Sequence, residues 1–433
     1  MEILKMQLQS KAPVKVIQFG EGGFLRGFFD WMLKKINLCT DFGGSVAVVQ
    51  PIKEGLCRLI EERGGVYTHL TRDSSGVESL VIDVIDRCVN PYLDFDAFLA
   101  LAEIPTARFI VSNTTEAGIV FNPADEISMG AEVSFPAKLT RLLLRRYELG
   151  LPGFIILPCE LIESNGDALR EAVLKYSELW NLGEGFHSFV LEKNVFANTL
   201  VDRINTGFPK GEDTGIDDPL LNASEKFHLW VIETEANVEK EIPFGAAGLN
   251  VVITTDKLYE YRTRKVRILN GAHTSLVAHG LLSGFDTVKS CMDSEQMREF
   301  LRRCIFDEII PTLDLDKDEL IKYAEDVLLR FANPYINHYL SSISLNSVSK
   351  FKVRVLPSIL EYRRRFGKNP ENLIFAFARL IEFYKVGEPK DLPEVMEFMK
   401  KESIGQILKN KDLWGVDLTD LEGAVENAYR SKG

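Results

Sequence analysis

The sequence predicts an α/β protein in two parts, an N-terminal part of alternating strands and helices and a C-terminal part that is mainly α-helical. Three observations carry that expectation. Compact apolar runs rich in β-branched residues recur through roughly the first 250 residues, helix-spaced apolar patterns lie between them, and after Thr255 helical periodicity continues almost alone.

The first run, "VKVIQF" at 14–19, reads as a buried strand, followed by Gly20, Gly22 and Gly23 and then by "FLRGFFDWMLKKIN", whose apolar spacing suits a helix. "SVAVVQP" at 45–51 is a second buried strand, closed by Pro51, and "VYTHLTRDSSGVESLVIDVIDRCV" reads as extended segments around a Ser-Ser-Gly turn. "RFIVSNT" at 108–114, "GFIILPCE" at 153–160 and "LNVVITT" at 249–255 repeat the buried-strand signal. Helical "FPAKLTRLLLRRYEL" and "DALREAVLKYSELW" lie among them, so a mostly parallel sheet is the economical reading. The later segments "KLYEYRTRKVRILNGAHTSLVAHGLL", "SEQMREFLRRCIFDEIIPTL", "DKDELIKYAEDVLLRFANP" and "NLIFAFARLIEFYKV" all carry helix-spaced apolar residues. The expected division is therefore residues 1–257 and 258–433.

Composition narrows the chemistry. The chain has 433 residues, 45% of them hydrophobic, which suffices for sizeable cores. Lys and Arg number 51 against 63 Asp and Glu, and the net charge of −12 disfavours nucleic acid or an anionic membrane surface as partner. Cys39, Cys57, Cys88, Cys159, Cys291 and Cys304 are scattered without metal-ligand spacing, so thiols in a reducing compartment are expected and no metal site is implied. The N-terminus lacks a secretory pattern and no window is long and apolar enough to span a bilayer, so the expected location is cytoplasmic.

In "QFGEGGFLRGF", Gly20 and Gly22 stand between a strand and a helix, the context in which a dinucleotide pyrophosphate approaches backbone amides at a helix start. The full GxGxxG is absent because Leu25 occupies its third glycine position. Arg26 has two readings, a phosphate partner or a solvated helix residue. The second strand ends in Gln50, where an acidic residue would signal recognition of the NAD ribose, and Glu54 lies further along. A dinucleotide is thus better supported than NAD over NADP. Asn113, Thr114, Thr115 and Glu116 follow another strand, where loops line a cofactor crevice or simply form a hydrogen-bonded turn.

"KVRILNGAHTSL" gathers Lys265, Asn270 and His273 on what reads as one uninterrupted helix, within one broad sector at 3.6 residues per turn. Lysine can exchange a proton with an alcohol, asparagine can donate to a developing oxyanion, and histidine can orient the substrate oxygen. The lysine role requires a depressed pKa, from burial or from neighbouring cations such as Arg262, Arg264 and Arg267. Singly, each has an ordinary alternative: a solvated charge run, a packed amide, a satisfied core histidine.

"QFGEGGFLRGFFDW", "NTTEAG", "FPAKLTRLL", "PCELIESNGDALRE", "NTLVDRI", "RKVRILNGAHTSL", "RFANPYI" and "SVSKFKVRVLP" together resemble the polyol-specific long-chain dehydrogenase/reductase family, to which mannitol dehydrogenase belongs, over nearly the whole chain. The resemblance implies a Rossmann-like NAD-binding domain, a helical substrate domain, an active site between them, and no zinc. It implies that Lys265 is the catalytic lysine, Asn270 the oxyanion donor and His273 the substrate-binding histidine. Phe19, Gly20, Gly22, Gly23, Phe24 and Arg26, with Asn113, Thr114 and Glu116, fall on the implied cofactor site. Mannitol dehydrogenases carry a second oxyanion asparagine where this chain has Leu161, which argues against a neutral polyol. Several blocks look most like those of the family's tagaturonate-reducing members, implying NADH-dependent reduction of tagaturonate to altronate; reduction of fructuronate and oxidation of mannitol or another polyol are the alternatives. A hexuronate needs at least one cationic or amide group for its carboxylate, and Lys138 is the candidate, with Arg203 and Lys350 as rivals. The expected partner is that small molecule alone, with the chain a monomer or small homo-oligomer.

Overall fold

A computed structural model describes residues 12–114 and 118–431. The chain divides into two compact units, Met1–Leu258 and Tyr259–Gly433.

Thirteen strands are described, all in the first unit: β1 (Val14–Phe19), β2 (Ser45–Val49), β3 (Tyr67–Asp73), β4 (Gly76–Ile82), β5 (Ile85–Val89), β6 (Phe109–Ser112), β7 (Ile155–Pro158), β8 (Val195–Phe196), β9 (Asn198–Asp202), β10 (Asn205–Gly207), β11 (Asn222–Glu225), β12 (Leu229–Glu233) and β13 (Val251–Thr254). Six of them form a sheet in the order β5-β2-β1-β6-β7-β8, every neighbouring pair parallel. The chain runs outward from β1 in one direction and then in the other, the doubly wound order of a Rossmann fold. Both faces are covered. Val16, Val46, Val48, Val111 and Leu157 feed one apolar core, and Ile17, Phe19, Ala47, Val49, Ile110 and Ile156 the other. That is why these strands read as continuous apolar runs rather than alternating ones.

Two smaller sheets depart from the parallel expectation. β10-β11-β3-β4 contains antiparallel pairs at both ends, and β13-β12-β9 mixes one parallel with one antiparallel pair. "LNVVITT", expected to extend the main sheet, instead supplies β13 in the three-stranded sheet, where all four of its residues are only half-buried. The helix expected after β1 is two helices, Gly23–Gly27 and Phe29–Cys39, broken at Phe28, whose ψ of −76° follows a φ of −120°.

The second unit is helical throughout its described residues. Its centre is Gly271–Leu282, buried from Gly271 to Gly280, which packs against Glu371–Val386. A helix so apolar on every side belongs inside a bundle. Caps fix its neighbours: Thr287 and Ser290 make a reciprocal capping box at Val288–Asp293, and Asp316 caps Lys317–Phe331. No helix among the described residues is long and apolar enough to cross a membrane.

Candidate active site

The glycine turn lies at the carboxyl ends of the central strands, where doubly wound sheets bind nucleotides. Gly20 has φ +125°, a backbone conformation that disfavours side chains, and a Cβ there would stand 3.1 Å from Asn113 O. Its N–H donates to Val49 O at 3.0 Å, joining the turn to the end of β2. Gly22, the residue before the first helix, has extended backbone and offers no side-chain cap, and a Cβ built on it would meet nothing within 4 Å. An open backbone at a helix start fits the pyrophosphate of a dinucleotide.

The other residues expected around this turn have different tasks. The Phe19 side chain is buried in the sheet core against Phe98 and Phe135, with ring centroids 6.0 and 4.9 Å away, so only its backbone borders the turn. Phe24 stacks on Phe28 at 5.1 Å, and Gly23 packs closely on Asn222, whose Oδ1 would lie 3.2 Å from an added Cβ. Arg26 is neither solvated nor aimed at a phosphate: it is buried, and its guanidinium donates to Glu21 O at 3.1 Å and Leu220 O at 2.6 Å.

Beyond β6, Asn113 Nδ2 donates to Cys159 O at 2.9 Å, and Thr114 donates from both its N–H and its hydroxyl to Glu160 Oε1 at 2.9 Å. Ser112 Oγ donates to the other Glu160 oxygen at 3.0 Å. Glu160, which the sequence did not single out, therefore ties together the loops after β6 and β7, and burial raises its carboxyl above the usual range. Thr115 and Glu116 lie outside the described residues. Leu161 is 55% exposed.

Two of the three proposed carboxylate-binding cations are committed elsewhere in the first unit. Lys138 is 2% exposed; its ammonium donates to Val133 O at 2.7 Å and Pro51 O at 3.4 Å, and burial lowers its pKa to about 8. Arg203 donates to Glu225 O at 3.0 and 2.8 Å and to Gly27 O at 2.7 Å, with its guanidinium 4.0 Å from the Trp31 ring centroid. Neither is poised for a substrate, because a buried cation must spend its donors on the carbonyls around it.

In the second unit the stretch holding Lys265 and Asn270 is not α-helical. Leu258–Arg264 is α-helix, Lys265–Asn270 is π-helix, and Gly271–Leu282 is α-helix again. On a regular α-helix an offset of five residues would place Lys265 and Asn270 about 140° apart. The wider i→i+5 turn narrows that angle.

One α turn further on, His273 is buried and stacked on Phe331, with centroids 4.0 Å apart and an interplanar angle of 16°. His338 meets it edge-on at 4.8 Å and 81°. His338 is held by its backbone, whose carbonyl accepts from Val288 N at 3.0 Å, and by the antiparallel bridge between Thr287 and Tyr339. Lys350, on the helix Ser347–Arg354, donates to Ile343 O at 2.9 Å. Burial, then the Arg354 charge, lower the Lys350 pKa, while burial and the Lys350 ammonium lower that of His338. The second unit thus sets the Lys350 ammonium where it acts on His338, which in turn meets His273, a pairing the sequence did not reveal because His338 stands alone in "NPYINHYL".

The basic run beside Lys265 is likewise packed. Arg264 lies 4.7 Å from the Tyr261 ring centroid and 4.4 Å from that of Tyr323, and Arg267 donates to Ser358 Oγ at 3.3 Å.

Residues 14–245 match the mannitol dehydrogenase Rossmann domain, and residues 257–431 match the mannitol dehydrogenase C-terminal domain. The chain is 44% identical to the altronate oxidoreductase of Bacillus subtilis over 94% of its length and 90% of that protein's. It is 41% identical to the altronate oxidoreductase of Phocaeicola vulgatus, covering 96% and 93%. Among solved structures, a substrate-free D-sorbitol dehydrogenase superposes with a TM-score of 0.84 at 20% identity, covering 98% of this chain and 94% of that one. The Pseudomonas fluorescens mannitol 2-dehydrogenase, solved with NAD and D-mannitol, gives 0.71 at 21%, covering 98% and 92%.

Proposed function

This chain belongs to the mannitol dehydrogenase family, and from that premise we propose that it is a tagaturonate reductase, interconverting D-tagaturonate plus NADH with D-altronate plus NAD. That it is an NAD-dependent oxidoreductase follows from the family and from the Rossmann fold with its open glycine turn. The observation that carries the finer reading is the 44% identity, across 94% of the chain, to an altronate oxidoreductase. Leu161 in place of a second oxyanion amide, and Lys350 beside His338, support a sugar acid over a neutral polyol.

Bound NADH supplies the hydride to the keto carbon. Lys265, as the ammonium, gives its proton to the keto oxygen, and in the reverse direction the neutral amine takes the hydroxyl proton. Asn270, at the other end of the same π turn, donates its amide N–H to the same oxygen as negative charge develops there. His273 is kept in one orientation by Phe331 and His338 and holds the adjoining hydroxyl. Lys350, with His338 beside it, receives the substrate carboxylate. A carboxylate there would stabilise the half-buried Lys350 ammonium, whose pKa burial and the Arg354 charge lower.

The test is a substrate panel. NADH absorbance is followed with tagaturonate, fructuronate and fructose in turn, and mannitol is offered with NAD. Rapid oxidation of NADH with tagaturonate is the expected result. Preference for fructuronate would reassign the stereochemistry, and activity on mannitol with neglect of both hexuronates would overturn the proposal.

A further inference from the structure

We infer that Glu21, inside the glycine turn, is the carboxylate that reads the adenosine ribose of the cofactor and sets NADH over NADPH. This rests on the dinucleotide-dependent activity proposed above. In Rossmann folds an acidic residue at the end of the second strand commonly takes that role, accepting from the ribose 2′-hydroxyl. Here that position is Gln50, and its amide is spent. Nε2 donates to Ile52 O at 2.9 Å and Lys53 O at 3.0 Å, and Oε1 accepts from Cys57 N at 3.1 Å, all within a side chain 2% exposed.

Glu21 fills the gap from the neighbouring strand end. β1 and β2 run parallel with Phe19 opposite Val49, so the turn after β1 and the loop after β2 emerge side by side. The Glu21 carboxylate reaches across to that loop, where Oε1 accepts from Leu56 N at 3.4 Å. Gly55 is the complement of this approach: a Cβ there would overlap Glu21 Oε1 and stand 2.6 Å from Gln50 Cδ. No side chain among the described residues donates to the second carboxylate oxygen, Oε2. Burial also raises the Glu21 carboxyl above its usual range despite the backbone N–H groups of Glu21 and Leu56 and the Arg26 charge, so the charged form gains from a further donor. A ribose hydroxyl supplies one.

A 2′-phosphate would instead bring a dianion against the carboxylate. Lys53, exposed on the same loop, would still offer that phosphate a cation, so discrimination turns on the glutamate charge. Glu54, also exposed on the loop, is the rival reader.

The test is nucleotide binding without substrate, by fluorescence titration of NADH, NADPH and an NADH analogue lacking the adenosine 2′-hydroxyl. Glu21→Gln keeps an acceptor for Leu56 N and removes the charge. It is expected to weaken NADH about tenfold, to tighten NADPH, and to bind NADH and the 2′-deoxy analogue nearly alike, whereas the parent separates them about tenfold. Glu54→Gln should leave all three affinities unchanged. If Glu21→Gln does not accumulate as folded protein, Glu21→Ser reads the same selectivity.

Unchanged selectivity in the Glu21 variants, an equal loss for all three nucleotides, or a selectivity change in Glu54→Gln would overturn the assignment. Failure of hexuronate turnover with the selectivity shift intact would remove the proposed substrate and leave Glu21 in place. Turnover with no shift would do the reverse.

Discussion

On the proposed reading Lys350 is the residue on which substrate class turns, an ammonium whose charge, with burial, lowers the pKa of the His338 ring that meets His273 edge-on. Lys350→Met is expected to raise the KM for tagaturonate by about 10- to 100-fold, the worth of one charge-assisted hydrogen bond, while leaving NADH affinity unchanged. Steady-state kinetics beside a nucleotide titration checks this, and an unaltered KM would move the carboxylate elsewhere. The sequence favoured Lys138 over Arg203 and Lys350, and it could not see the packing, since a lysine in an amphipathic helix reads the same whether its ammonium meets solvent, a ligand or a carbonyl. Packing separates them: Val133 O and Pro51 O claim the buried Lys138, Glu225 O and Gly27 O claim the buried Arg203, and Lys350, which donates to Ile343 O, is only half-buried. Glu160 and Glu21 escaped notice for a related reason, as nothing in the sequence distinguishes a buried, hydrogen-bonded glutamate from a solvated one.

At the scale of elements, continuous β-branched runs made β1, β2, β6 and β7 legible, because a strand covered on both faces must be apolar throughout. β11, "NASE", was not legible, since its four residues are all buried yet mostly polar, and its burial follows from its place beside β3. The π turn was equally hidden. Helical periodicity read the stretch as one uninterrupted helix with Lys265 and Asn270 at the two edges of a broad sector, and the local widening narrows the angle between them.

The helix after the glycine turn carries a separate, titratable consequence. Asp30 is buried beside Tyr67, whose hydroxyl lies 3.2 Å from its Oδ2, and desolvation raises its pKa from 3.8 to about 7 despite Tyr67 and Arg26. Between those values the folded protein holds a proton that the unfolded chain has released. Stability therefore falls as pH rises through that window and levels off above it. Asp30→Asn should abolish this fall, gaining at most about 4 kcal/mol relative to the parent at pH 8. Thermal melts of both proteins at pH 5 and pH 8 measure it, and parallel pH trends would contradict the burial account.

Over the whole molecule, the proposed mechanism assigns a different part of the chemistry to each unit. The first has an open backbone at Gly22 on a doubly wound sheet, and the second carries Lys265 and Asn270 on a π turn followed by His273 on an α-helix. Removing the lysine should consequently separate binding from turnover. The most direct measurement is kcat/KM for tagaturonate with NADH, taken for the parent and Lys265→Ala side by side, with NADH affinity titrated for each. The parent should turn over, and the variant should bind NADH equally well while losing about 10²- to 10⁴-fold in rate. Turnover by Lys265→Ala at the parent's rate would contradict the assignment of proton transfer to this lysine.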